Sequence, residues 1–339
     1  MWFLKNETAY GAERNFIRDK LGVHHFLVAV QATFDFDRQG SLKLSDEQPP
    51  PPLAPEYRGD PATTSLRRDS ELLYCKAGTE VLLDACAHAP SSRGAPGSPA
   101  TTVPVTLKVG PMEKSLLVHG ERLYRRGLFG WTLSTPQPFW KQPIQYEWAY
   151  GGTDCAAEPQ KQRMDQRNPV GKGIASPATN EPRFAHTIEY PHGDPAVVGP
   201  AGFGPIASHW SPRRERSGTF DKRWEQTKKP LLPDDFDERF GQSAPDDQHL
   251  SRPLRGGEPV FLGNLTPEGE VTFQLPKIYL AFRTQLAGRA EEHRAALVTV
   301  FIDTEARKLS MVWQTALRVA SRDVEHLDFT RIAEKTYIS

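Results

Sequence analysis

Phe26-Leu27-Val28-Ala29-Val30-Gln31-Ala32-Thr33-Phe34-Asp35-Phe36 is the stretch that decides the fold class. The run is built of β-branched and aromatic residues and ends in apolar/polar alternation, the period-two signature of a strand. Asp37-Arg38-Gln39-Gly40 supplies turn residues, and Ser41-Leu42-Lys43-Leu44 returns as a partner strand. Working outward, Leu297-Val298-Thr299-Val300-Phe301-Ile302-Asp303 and Lys308-Leu309-Ser310-Met311-Val312-Trp313 face each other across a short polar turn. That is a second strong hairpin.

Thr102 to Val109 alternates at period two, followed by a turn over Gly110 to Lys114 and a return over Ser115 to Val118. Pro104 inside it predicts an edge strand, since proline has no amide to give to a neighbour. Glu71 to Asp84 reads as another strand pair turning at Lys76-Ala77-Gly78-Thr79, Val271 to Leu275 as a strand, and Val324 to Ile338 as a tail strand or short helix. Pro49 to Pro52 reads as a rigid connector, Ala89 to Thr102 as an exposed loop, and Lys228 to Gln248 as an acidic loop. No amphipathic helix longer than about 12 residues is found. The class is therefore mainly β: an antiparallel β-sandwich or sandwiches, with long Gly/Pro-rich loops and few short helices.

The 339 residues suit one large unit over 1–339, or two packed sub-domains of about 12–150 and 190–320 joined by a Gly/Pro/Trp-rich block. Lys and Arg number 42, as do Asp and Glu. That balance argues against a nucleic-acid or anionic-membrane partner held by bulk charge. The 30 prolines exceed the usual share of about 5% and favour short strands joined by rigid loops. Cys75, Cys86 and Cys155 are odd in number and lack C-x-x-C spacing, so a disulfide framework is not expected and a reducing compartment fits. Met1 to Glu7 is too short an apolar run for a secretory signal. The expectation is a soluble, cytoplasmic protein.

Catalytic signatures are missing: no G-x-S-x-G elbow, H-E-x-x-H pair or P-loop occurs. Asp234-Asp235-Phe236-Asp237-Glu238 with Asp246-Asp247 lacks the spacing of a calcium loop and reads as solvated. His24-His25 reads as the exposed end of a strand. His186, His192 and His209 are spaced too irregularly for a metal set, so neither metal nor cofactor is expected. If a β-rich hydrolase were present, Glu147 and Asp154, beside aromatic residues, would be its acids. Five of the seven tryptophans (Trp131, Trp140, Trp148, Trp210 and Trp224) fall in one block, close to Arg213, Arg214 and Arg223. Such residues are favoured in protein interfaces, and equally suited to shaping loops. The candidates for those two roles are Tyr146, Glu147, Trp148, Tyr150, Asp154, Phe203, Trp210, Arg213, Arg214, Asp221 and Trp224.

The order of motifs in this block carries a resemblance. Ala12-Glu13-Arg14 and Pro138-Phe139 lead to Tyr146-Glu147-Trp148-Ala149-Tyr150-Gly151-Gly152-Thr153-Asp154 and Asn168-Pro169-Val170-Gly171-Lys172-Gly173. Pro200-Ala201-Gly202-Phe203-Gly204-Pro205-Ile206, Trp210-Ser211-Pro212-Arg213, Gly218-Thr219-Phe220-Asp221 and Trp224 follow, then Pro230 to Phe236 and Pro245-Asp246-Asp247-Gln248. The pattern resembles the family called domain of unknown function 2169, over about residues 12–315. It departs at Trp148, where that family more often has arginine, and at Phe220, usually tyrosine. Members are typically encoded beside type VI secretion spike and effector genes. The resemblance implies an accessory adaptor or chaperone, not an enzyme. Its expected partners are a PAAR-like spike-tip protein, an effector, or the VgrG spike. A structural part of the secreted spike is the alternative, with a hydrolase using Glu147 and Asp154 behind it.

Overall fold

The computed structural model describes residues 2–90, 97–128, 130–154, 160, 162–174 and 182–335. Its frame is a seven-stranded sheet in the order His249–Leu250, Thr79–Asp84, Ala296–Asp303, Lys308–Val319, His24–Phe36 and Gly11–Arg18, with Leu42–Leu44 added beside the end of His24–Phe36. Both hairpins read from the sequence are present: Phe34 lies opposite Leu44, and Leu297 opposite Trp313. A five-stranded sheet follows the order Ile188–Glu189, Met112–His119, Thr102–Val109, Pro259–Gly263 and Glu270–Gln274. A four-stranded sheet joins Phe3–Asn6, Leu327–Glu334, Leu280–Leu286 and Arg289–His293. The chain is mainly β, largely antiparallel, with only short helices.

One face of the long central strand meets both smaller sheets. Ala32, Phe34 and Phe36 cluster with Val103, Val105 and Leu107 of the five-stranded sheet, whereas Val28 and Val30 cluster with Phe282 and Ile332 of the four-stranded one. On the opposite face Leu27 and Ala29 pack with Leu72, Val298 and Val312. Burial on both faces is why this strand reads as a continuous apolar run with alternation only at its end. Each such side chain contributes roughly 1.5–3 kcal/mol of transfer free energy.

Several expectations are corrected. The strand holding Pro104 is not an edge: it lies between Met112–His119 and Pro259–Gly263. The neighbour Pro259–Gly263 pairs only as far as Thr106, however, and the Pro104 carbonyl accepts from Asn264 Nδ2 on that side at 2.8 Å. The absent amide therefore points past the end of the ladder, where no partner strand needs it. Glu71–Cys75 does not pair as a strand. Gln314 Nε2 donates to the carbonyls of Glu71 and Tyr74, and Gln314 Oε1 accepts from Lys76 N, so one side-chain amide replaces a strand partner.

His24-His25 is not an exposed strand end: His24 is buried against Phe16 at a ring separation of 4.8 Å, and His25 is held by Asp19 at 3.0 Å. In the acidic loop Asp234, Asp235 and Glu238 are exposed as expected, but Phe240 to Pro245 is buried beneath the large sheet. The tail resolves as the strand Leu327–Glu334, parallel to Phe3–Asn6. Its last residues to Ile338, residues 91–96 of the expected exposed loop, and Cys155 lie outside the described residues. Cys75 and Cys86 are free thiols. Among the described residues no helix is long and apolar enough to cross a membrane.

Candidate functional site

The motif block supplies Ile188–Glu189, the edge strand of the five-stranded sheet, and meets the large sheet where Leu83 N donates to the Phe203 carbonyl; its glycines explain its spelling. Asn168 Nδ2 donates to the carbonyls of Tyr146 and Tyr150 at 2.8 and 3.0 Å, so one buried amide ties two loops together. A Cβ on Gly151 (φ 144°) would lie 2.3 Å from the Asn168 carbonyl oxygen, and one on Gly171 would lie 2.7 Å from the Ala149 oxygen. Only glycine lets these backbones close around Asn168. The Tyr-Gly-Gly and Asn-Pro-x-Gly words are thus two halves of one bracket.

Five of the eleven candidates are buried framework. Tyr146 stands edge-on to Trp210 at 5.9 Å and donates its hydroxyl to the Gly204 carbonyl at 3.2 Å. Phe203 and Trp210 are fully buried, Asp154 is buried, and Arg213 is only 2% exposed. The Arg213 guanidinium donates to the carbonyls of Phe240 and Ile206 and pairs with Asp69 at 2.7 Å. It braces the block from inside.

Four more are half-buried. Glu147 accepts from the amide and hydroxyl of Ser65 at 2.7 and 2.8 Å, which pins the turn Tyr146–Trp148 to a distant loop. Trp148 lies under the Lys172 ammonium at 3.4 Å, Tyr150 sits edge-on to His186 at 5.5 Å, and Trp224 Nε1 donates to the Leu231 carbonyl at 2.8 Å. The last two, Arg214 and Asp221, are exposed. Asp221 caps the short helix Lys222–Thr227 by accepting from Trp224 N, and Arg214 donates to Gln166 at 3.1 Å.

Two polar clusters at this junction left no trace in the sequence. Lys114 Nζ is buried between Asp247 and Gln248 at 2.9 and 2.8 Å, beside the rings of Tyr190 and Phe203. Burial pulls its ammonium down to about 8, against the opposing pull of Asp247. Gln248 in turn donates to the carbonyls of Val81 and Phe203, locking the block onto the large sheet.

In the second cluster, Glu189 gathers three donors: His119 Nε2 at 2.8 Å, Arg122 Nη2 at 2.7 Å and His186 Nε2 at 3.0 Å. Burial opposes the Glu189 charge, but the two histidines and the arginine outweigh it and hold the carboxyl far below its ordinary value of 4.5. A depressed carboxylate stabilises the fold above its unfolded value and loses that contribution as pH falls. Wild type should therefore lose stability more steeply than Glu189→Gln between about pH 5 and about pH 3. Urea midpoints measured across that range check this, and parallel curves would refute it. Among the described residues no group of three or more His, Cys, Asp or Glu is arranged to hold a metal.

The arrangement is a braced surface: interior polar groups are spent on holding loops, and aromatic residues such as Trp140 and Phe220, each 54% exposed, stand outside. The model of the DUF2169 family, described as an uncharacterized protein conserved in bacteria, matches residues 21–314. No curated protein and no solved structure matches the chain.

Proposed function

The chain belongs to the DUF2169 family, and on that premise we propose that it is an accessory adaptor or chaperone of type VI secretion, acting in the cytoplasm and catalysing no reaction. It holds a PAAR-like spike-tip protein or an effector and assists its loading onto the VgrG spike. The observation that supports this reading is the division of the motif block. Tyr146, Phe203, Trp210 and Arg213 are buried and brace the block from inside, while Phe220 stands exposed and is packed edge-on to Trp224 at 4.8 Å. A preordered surface loses little conformational entropy on binding, which suits a protein that must capture an unstable partner.

Co-expression with a PAAR-like protein or effector from the same genome is expected to raise that partner's soluble yield several-fold and to give a stable co-purifying complex. Mass spectrometry of secreted material should find the partner and not this chain. Unchanged partner solubility without the chain would overturn the proposal. Finding the chain in the secreted spike would instead assign it to the spike itself.

A further inference from the structure

Three stretches far apart in the chain, within residues 17–25, 73–75 and 230–238, enclose a cavity of about 440 Å³. Small-molecule sites commonly measure about 300–1,000 Å³, with apolar walls and a few polar groups. Ile17 and His25, opposite each other in the strand register, supply one wall. The rings of Tyr74 and Phe236, 6.0 Å apart and 24° from parallel, supply another, and Leu231 and Leu232 complete the lining.

Charge is the second observation. Arg18 lies opposite His24 in the register, so strand alternation turns its side chain to the other face from Ile17 and His25. Lys20 Nζ is held by the Phe236 carbonyl at 3.0 Å. Asp19 accepts from the amides of Leu21 and Val23 and from His25. Burial opposes its charge, but those donors outweigh it and hold the carboxyl below its ordinary value of 3.8. Glu238 is exposed and, among the described residues, makes no hydrogen bond or ion pair. Burial, then the charges of Glu238 and Asp19, push the Cys75 thiol on the cavity wall up to about 11, and no cation among the described residues opposes them there. The lining is apolar and aromatic, and its effective charge is negative.

We propose that this cavity binds a small organic amine, with an aryl or branched-alkyl body against Tyr74, Phe236 and the leucines and its ammonium at the free Glu238 carboxylate. Burial of the apolar body supplies affinity, and the carboxylate and the ring faces select a cation. An anion of the same shape would meet Asp19 and Glu238 with no free cation to answer it. The site stands apart from the adaptor reading and does not depend on it.

The test uses the full chain and para-fluorophenethylamine followed by fluorine NMR. The probe resonance should shift and broaden at about millimolar concentration, and the effect should weaken with salt. Para-fluorophenylpropionate and para-fluorophenethyl alcohol, which keep the ring and lack the cation, should bind at least about tenfold more weakly. Glu238→Gln should weaken amine binding by about tenfold, and Glu238→Lys should abolish it. Glu238 is exposed and unpaired, so both variants should unfold at the wild-type midpoint. Hydrogen exchange should show new protection of amides 73–75 and 231–232 on binding.

Equal binding of the amine, the carboxylate and the alcohol overturns the proposal, as does a Glu238→Gln variant that binds the amine like wild type. Protection confined to other segments overturns it too. Displacement of the bound amine by a PAAR-like protein would overturn the small-molecule reading and seat a side chain of that partner in the cavity instead.

Discussion

Glu80→Gln is expected to cost about 3–5 kcal/mol of stability, while Glu71→Gln, its neighbour in the same buried cluster, costs less than about 1 kcal/mol. Both carboxylates face one ammonium. Lys76 Nζ, whose side chain is 1% exposed, lies 2.7 Å from Glu71 and 2.5 Å from Glu80, with Thr299 Oγ1 at 3.0 Å. Two carboxylates on one cation would leave an excess negative charge in the interior, which is costly unless one acid takes a proton.

Their other partners decide which one does. Glu80 also accepts from the backbone amides of Ser243 and Ala244 at 2.7 and 3.0 Å, whereas Glu71 adds only the Thr299 hydroxyl at 2.9 Å. Burial pushes both upward. Glu71 stays raised, while Lys76 and the two amides bring Glu80 below its ordinary value. Glutamine thus imitates the neutral form that Glu71 favours, but leaves Lys76 without its main counter-charge at position 80.

The pH dependence has opposite signs at the two sites. Glu80, being lowered, stabilises the fold above the unfolded carboxylate value of 4.5 and loses that contribution on acidification. Glu71, being raised, contributes below that value and loses its contribution as pH climbs through its folded value. Glu71→Gln should therefore gain on wild type as the buffer moves from about pH 5 to about pH 8. Urea unfolding of both variants across that range is the measurement. Equal losses for the two substitutions would show that the cluster does not discriminate between its acids.

Arg213→Ala should lose about 3 kcal/mol, and Arg213→Lys should recover less than half of that. The planar guanidinium reaches the carbonyls of Phe240 and Ile206 and the Asp69 carboxylate together, which one ammonium at the end of a flexible stem does not reproduce. Removing it leaves a carboxylate whose side chain is only 10% exposed and two carbonyls without this donor. Denaturant unfolding gives the magnitude, and limited proteolysis should show earlier cleavage between Phe203 and Phe240. Partner capture by Arg213→Ala should fall only in step with the folded fraction. A loss of capture with stability intact would place Arg213 in the contact surface, contrary to its burial.

Arg213 also shows where reading from sequence stops. Its neighbours in the chain, Trp210 and Arg214, mark an interface as readily as a brace, and only the arrival of Asp69 and Phe240 decides between them. Asn168 was legible as part of a loop motif, but its contact with the carbonyls of Tyr146 and Tyr150 was not, because the glycines that permit it come from both sides of the bracket. The Glu189 cluster was invisible. His119 and Arg122 lie in one stretch and His186 and Glu189 in another, with 64 positions from Arg122 to His186, and no local pattern joins the two. Pro104 misled for the opposite reason: its chemistry was read correctly, but the neighbouring strand ends before reaching it.

The chain by itself determined its β class, the two hairpins around Phe26–Phe36 and Leu297–Trp313, and the positions where glycine and proline shape loops. These rest on side-chain alternation and local backbone angles, which a few consecutive residues specify. Tertiary structure alone decided which charges are interior and which face solvent. Glu80 finds its amide donors 163 and 164 positions further along the chain, and a buried charge is tolerable only once such partners have been brought to it.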